Sequence, residues 1–169
     1  TEIYTLSLHD ALPIWVLYLS YDMRMMFAAL RCEGLREALS AAGGAVDAIG
    51  AGNMEDSDGV VIEAAAALLR KERYDAVVCA QGAVWAAMTK ALRRAGCNPE
   101  LMWFGSFNAP ASGDEAYPRI VWSVQPVAAM AVKAVELIAR LLAGGGPERL
   151  LVPAELEYAS LPVSEAISL

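Results

Sequence analysis

Several short apolar runs in this chain are each followed by a side chain that can hydrogen-bond a ligand. Tyr21 and Asp22 follow WVLYLS, Gln81 follows DAVVCA, Asn108 follows the run ending at Phe107, and Gln125 follows RIVWSV. Gly50-Ala51-Gly52-Asn53 follows a fifth, weaker run. An amide donates and accepts at once, so such a set can satisfy a neutral, polyhydroxylated molecule such as a sugar from both sides. Asn, Gln and Asp also favour turns for local reasons, so the coincidence across several runs carries the reading. Arg31 adds a cation near the apolar stripe of the first amphipathic segment. Two roles stand open for it: its stem packs while its head reaches water, or its planar fork meets ring oxygens, hydroxyls or a carboxylate. Arg24 is a weaker candidate for the second role. Tyr21, Trp85, Trp103, Phe107 and Trp122 lie near the same positions; most belong to a core, and one could stack on a sugar face.

Other chemistries lack their residues. The only histidine is His9, in an N-terminal stretch that fits no pattern with the rest, so no Ser-His or Cys-His pair is available. Cys32, Cys79 and Cys97 stand apart without C-x-x-C spacing and read as inert buried thiols, not as zinc ligands. Gly50-Ala51-Gly52 has Glu55 where a dinucleotide loop needs its third glycine, and no Gly-Lys-Ser or Gly-Lys-Thr marks a P-loop. A phosphate-receiving domain would cluster acids and a lysine at the strand ends, where only Asp22 qualifies. The sequence therefore predicts no catalytic residue, no metal and no cofactor.

These side chains need elements to hold them. Apolar runs alternate with amphipathic segments from Trp15 onward, the pattern of an α/β fold with an open parallel sheet flanked by helices. Strands are predicted over Trp15 to Ser20, Ala45 to Ile49, Asp75 to Ala80, Leu101 to Phe107 and Arg119 to Val124, with a last extended stretch over Leu150 to Glu157. Helices are predicted over Met25 to Ala42, Ser57 to Glu72, Val84 to Ala95 and Pro126 to Leu142. The first helix reads as buried along Phe27, Leu30, Gly34, Ala38 and Ala41. Of 169 residues, 57% are hydrophobic and 20% charged, which supports a packed core and excludes a disordered chain. The 13 basic residues are scattered, leaving no nucleic-acid stripe in the visible chain. Charge or glycine breaks every apolar run before the roughly 18 residues of a membrane span.

Residues 1–14, TEIYTLSLHDALPI, show neither clean alternation nor a helical stripe. The string resembles the in-frame translation of a sequencing adapter joined to a coding sequence near Trp15; a native arm is the other reading. On the adapter reading, Glu2, Asp10 and His9 leave the count. The 20 acids fall to 18 against 13 bases, and the net charge becomes −5 instead of −7. The expectation that follows is a chain beginning inside a longer coding sequence, with its true N-terminus missing.

The segments AALRCEGLREAL, RYDAVVCAQGAVWAAMTKALRRAG, FGSFNAP, IVWSVQPVAAMAVKAVELIARLLAG and LLVPAELEY resemble, in order and spacing, the C-terminal half of LacI-type transcriptional regulators. The type I periplasmic sugar-binding proteins are relatives, and the resemblance spans nearly all of 28–160. It implies a truncated fold in which 15–124 form the C-terminal lobe of a ligand-binding domain, and 125–145 a hinge crossing and a helix of the missing N-terminal lobe. Residues 146–160 then form a returning strand and 161–169 a tail. In the family an arginine of the first helix contacts ligand, and Arg31 matches it; Gln125 matches the polar residue at the hinge. Gln81-Gly82 stands where the family has Asn-Asp, and Asn108 where it has Asp, two departures that bear on sugar preference. With Asp22, these make the predicted ligand set Asp22, Arg31, Gln81, Asn108 and Gln125.

The resemblance further implies a small-molecule effector, a carbohydrate or derivative, bound between two lobes. It implies operator DNA bound through an N-terminal head absent here, a homodimer, no enzyme activity and no membrane. Three unpaired cysteines suit a cytoplasmic location. The main alternative is an exported, periplasmic sugar-binding component of an ABC transporter, which the GSFN turn favours; a third reading is an α/β enzyme whose catalytic residues lie elsewhere. If 126–142 packs on a missing lobe, the chain by itself exposes Val127, Met130, Ala131, Ala134, Ile138 and Leu141. It should then bind a hydrophobic dye such as ANS, whereas a monodisperse chain that binds none contradicts this layout.

Overall fold

The structure is a computed structural model that describes residues 14–50, 57–109, 117 and 119–158. Chain order is β1 (Trp15–Ser20), α1 (Met26–Ser40), β2 (Ala45–Gly50), α2 (Ser57–Lys71), β3 (Ala76–Cys79), α3 (Trp85–Ala95), β4 (Trp103–Phe107), β5 (Ile120–Val124), α4 (Val127–Leu142) and β6 (Glu155–Tyr158). The strands form one sheet in the order β2-β1-β3-β4-β5-β6. The first five strands are parallel, as the alternating pattern predicts, and β6 runs antiparallel to β5. That last direction departs from an all-parallel reading. A parallel sixth strand would need α4 to cross back over the sheet, and α4 instead stands away from it with no buried residue. The final strand also starts at Glu155, five residues later than the apolar pattern suggests.

Alternation along the strands divides the core between two faces. Leu17, Leu19, Val77, Cys79 and Phe104 pack with Val61, Ala65, Met88 and Leu92 beneath α2 and α3. Tyr18 and Ala80 pack on the opposite face with Ala28 and Cys32 of α1. Trp85, Phe104 and Tyr117 close the first face as edge-on and tilted rings with centroids 4.6–6.0 Å apart. Gly96 ends α3 in the left-handed conformation at φ 71°, with its N–H returned to the carbonyls of Leu92 and Arg93.

The buried stripe of α1 differs from its sequence reading. Ala28 and Cys32 are fully buried and Leu35 packs beside them, while Leu30 is 57% exposed and Gly34, Ala38 and Ala41 face outward. The ridge runs through 28, 32, 35 and 39, rotated from the predicted one because the small Ala28 and Cys32 let the helix approach the sheet over Tyr18. The Tyr18 hydroxyl then donates to the Ala28 carbonyl at 2.9 Å. Burial pushes this phenol's pKa well above its ordinary value, so it remains a donor. Tyr18→Phe removes that bond without a cavity and is expected to cost about 1 kcal/mol. The urea midpoint should fall at unchanged m; an unchanged midpoint would show that the bond contributes nothing.

Candidate functional site

Parallel strands of an open sheet deliver their following residues to one edge, and ligands bind there. In the order β1-β3-β4-β5 that edge carries Asp22, Gln81, Asn108 and Gln125 on successive strands, roughly 4.8 Å apart per strand. Arg31 reaches the same edge from α1. Its Nη1 donates to the carbonyl of Ala80, immediately after β3, at 2.7 Å. The guanidinium lies 4.7 Å from the Phe107 ring centroid and 5.1 Å from that of Phe27. Both aromatic contacts favour a cation. Partial burial pulls the Arg31 pKa down from its usual value, and a guanidinium stays charged nonetheless. One carbonyl uses one N–H of the fork, and the other donors have the geometry for hydroxyl or carboxylate oxygens.

Asp22 lies in the turn between β1 and α1 and is nearly buried. Its carboxylate accepts the Arg24 backbone N–H at 2.8 Å, Nε at 3.0 and 3.1 Å, and Nη2 at 2.8 Å. Those bonds hold the Asp22 carboxyl below the usual carboxylate range. The acid shapes the entry to α1, and what it presents to a ligand is its pair with Arg24. Gln81 is half-buried in extended backbone and opens the short 3₁₀ turn Gly82–Val84 that leads into α3. Asn108 ends β4 at φ 75°, a left-handed conformation that asparagine tolerates, and its N–H donates to the Ser123 carbonyl at 3.0 Å. Asn108 and Gln125 come together as walls of a cleft of about 360 Å³ that also includes Trp122, Val124, Val127 and Glu157.

The structure thus gathers Arg31, Gln81 and Asn108 around the ends of β3 and β4, sets Gln125 beside Asn108, and leaves Asp22 engaged by Arg24. Ala51, Gly52 and Asn53 lie outside the described residues. Sequence reasoning missed Phe27 as the second ring under Arg31, although its place four residues earlier on the helix was a usable signal. It also missed Glu157, whose relevance depends on β6 running antiparallel. A larger depression of about 400 Å³ lies at the opposite, amino-terminal edge among Leu69, Tyr74, Asp75 and Cys97, away from the converging strand ends. Among the described residues no group of three metal-ligating side chains forms. Cys32, Cys79 and Cys97 are free, and burial pushes each thiol's pKa up, which leaves them poor nucleophiles.

No family model and no curated protein matches the sequence. Solved structures do match the fold. One is a periplasmic binding protein/LacI transcriptional regulator from Alkaliphilus metalliredigens complexed with D-xylulofuranose, at TM-score 0.68 and 18% identity over 92% of this chain and 59% of that one. The fold is that of LacI-type regulators. A second match is the protein assigned as a ribose operon repressor in Burkholderia thailandensis, at TM-score 0.68 and 17% identity over 86% of this chain and 54% of that one. A third is a LacI family transcriptional regulator from Bifidobacterium animalis, at TM-score 0.65 and 20% identity over 91% and 56%. The chain spans little more than half of each of these neighbours. No helix among the described residues is long and apolar enough to cross a membrane.

The Asp22–Arg24 pair gives a pH test. A carboxyl with a depressed folded pKa adds stability that is present above its unfolded pKa, near 3.9, and is lost as the pH falls through the folded value. Asp22→Asn should therefore melt below the wild type at neutral pH, with the two curves converging under about pH 4. A pH-independent gap would assign the loss to something other than this charge.

Proposed function

We propose that this chain is one lobe, with part of the hinge, of the small-molecule-sensing domain of a LacI-type transcriptional regulator. Its effector on this reading is a small neutral carbohydrate or derivative. The observation that carries it is Arg31, a cation stacked on Phe27 and Phe107 and anchored to the Ala80 carbonyl at the sheet edge. Amides on neighbouring strands complete a donor and acceptor set suited to hydroxyls. The names of the structural neighbours, regulators among them and one holding a furanose, support regulation over transport.

On this reading 15–124 form the lobe, and 125–145 cross the hinge and give α4 to a first lobe outside the chain. Residues 146–160 return as β6, and 161–169 form a tail. The exposure of α4 supports the layout: Val127 is 67%, Ile138 56% and Leu142 85% exposed, with Met130 and Leu141 also open. Ligand caught between two lobes favours the closed arrangement and so biases the geometry of an attached DNA-binding head at its operator. A homodimer would present two such heads. The site binds and does not catalyse, and three free thiols suit the reducing cytoplasm.

Calorimetric titration of the chain with D-ribose, D-xylose and D-glucose tests this reading. Arg31→Met should weaken the sugar that binds by about ten- to a hundredfold, the worth of one charged hydrogen bond. Arg31→Lys should not restore it, because an ammonium lacks the planar fork. Equal affinity in the wild type and Arg31→Met would remove Arg31 from the site, and failure of every neutral sugar would overturn the carbohydrate assignment.

A further inference from the structure

We propose that the cleft bounded by the ends of β4 and β5 and by the β6 edge is a sugar-stacking subsite. Trp122 receives the apolar face of a neutral sugar ring, and Glu157 accepts its hydroxyls and excludes anionic sugars. This rests on the carbohydrate reading above and assigns two residues that the reading does not contain.

Trp122 and Glu157 face each other in the antiparallel register of β5 and β6. The indole Nε1 donates to Glu157 Oε2 at 2.9 Å. This bond satisfies the one polar atom of the indole and fixes the ring's plane, so what Trp122 offers a ligand is its apolar face. The carboxylate keeps a second oxygen with no protein partner among the described residues, and an ionised carboxylate only accepts. Hydroxyls are its natural donors. Val124 and Val127 supply the apolar part of the cleft, and Asn108 and Gln125 supply amides that donate as well as accept. About 360 Å³ lies at the small end of ligand-site volumes and suits one ring.

Ser106 adds an independent sign. It sits across the ladder from Trp122 on β4, is 5% exposed, and its Oγ has no hydrogen-bond partner. Buried hydroxyls are nearly always paired, so the protein alone does not complete the hydrogen bonding of this corner. The charges also discriminate. Arg31 would by itself attract an anionic sugar, whereas the Glu157 carboxylate repels a phosphate or uronate brought into the cleft. A neutral ring meets neither penalty.

The test uses the full chain with its tryptophan indoles labelled for NMR, Trp122 being assigned by the loss of its signal in Trp122→Phe. D-ribose, D-xylose and D-glucose serve as neutral probes, and D-glucuronate and D-glucose 6-phosphate as anionic ones. The Trp122 signal is expected to shift saturably with a neutral sugar and far less with the anions. Glu157→Gln, which keeps an oxygen to accept the indole N–H, should weaken the neutral sugar about tenfold and narrow its preference over the anions. A neutral sugar that binds in an Arg31-dependent way while Trp122 stays still and Glu157→Gln changes nothing would overturn the subsite and leave the sensor reading standing. A Trp122 shift of full amplitude and affinity in Arg31→Met would uphold the subsite and remove Arg31 from the site. No response to any neutral sugar would overturn both.

Discussion

The carboxyl edge of the sheet depends on how closely α1 lies against it. Arg31 reaches the Ala80 carbonyl because Ala28 and Cys32, one and two turns apart on the buried ridge, carry little volume and let the helix settle over Tyr18. The Tyr18 hydroxyl, bonded to the Ala28 carbonyl, sets the depth of that contact. A bulkier residue at 28 or 32 would lift the helix, and overpacking of a filled core is resisted by the surrounding side chains. The aromatic sandwich of Phe27 and Phe107 follows from the same placement, since one ring comes from the helix and the other from the end of β4. Position and charge of the guanidinium are thus consequences of core packing on the far side of the helix.

Much of the scaffold was legible from period alone. Trp15–Ser20 matches its sequence reading residue for residue, and α2, α3 and α4 begin and end within a residue or two of theirs. These segments combine a clean hydrophobic period with a marked stop, such as Gly96 after α3. The ridge of α1 was misread because its contact rests on Ala28 and Cys32, which carry little hydrophobic signal, while Leu30 carries a large one and faces outward. The direction of β6 was equally hidden: four residues, ELEY, say nothing of which way they run, and the answer lies in where the preceding helix goes.

At the site the sequence indicated which residues stand at the strand ends, and it was less informative about what engages them. Asp22 belongs to the edge as read, yet its carboxylate is taken by Arg24, a contact that local spacing permits and does not announce. Trp122 was visible as an aromatic near a strand end, and its partner Glu157 lies 35 residues away on a strand of opposite sense. Local chemistry can be read from neighbours in the chain. Pairings between strands become visible only with the register.

The anchor of Arg31 is a main-chain carbonyl. Any residue at position 80 supplies that acceptor, so the guanidinium's position does not depend on which side chain stands there. The adjacent Gln81 occupies extended backbone that any residue adopts, and substitutions there leave the anchor in place. The arrangement separates a fixed cation from a variable neighbour. Effector preference can therefore drift at residue 81 by single steps, with the scaffold's stability and the common contact to ligand both retained, which is the condition under which one fold diversifies into many specificities.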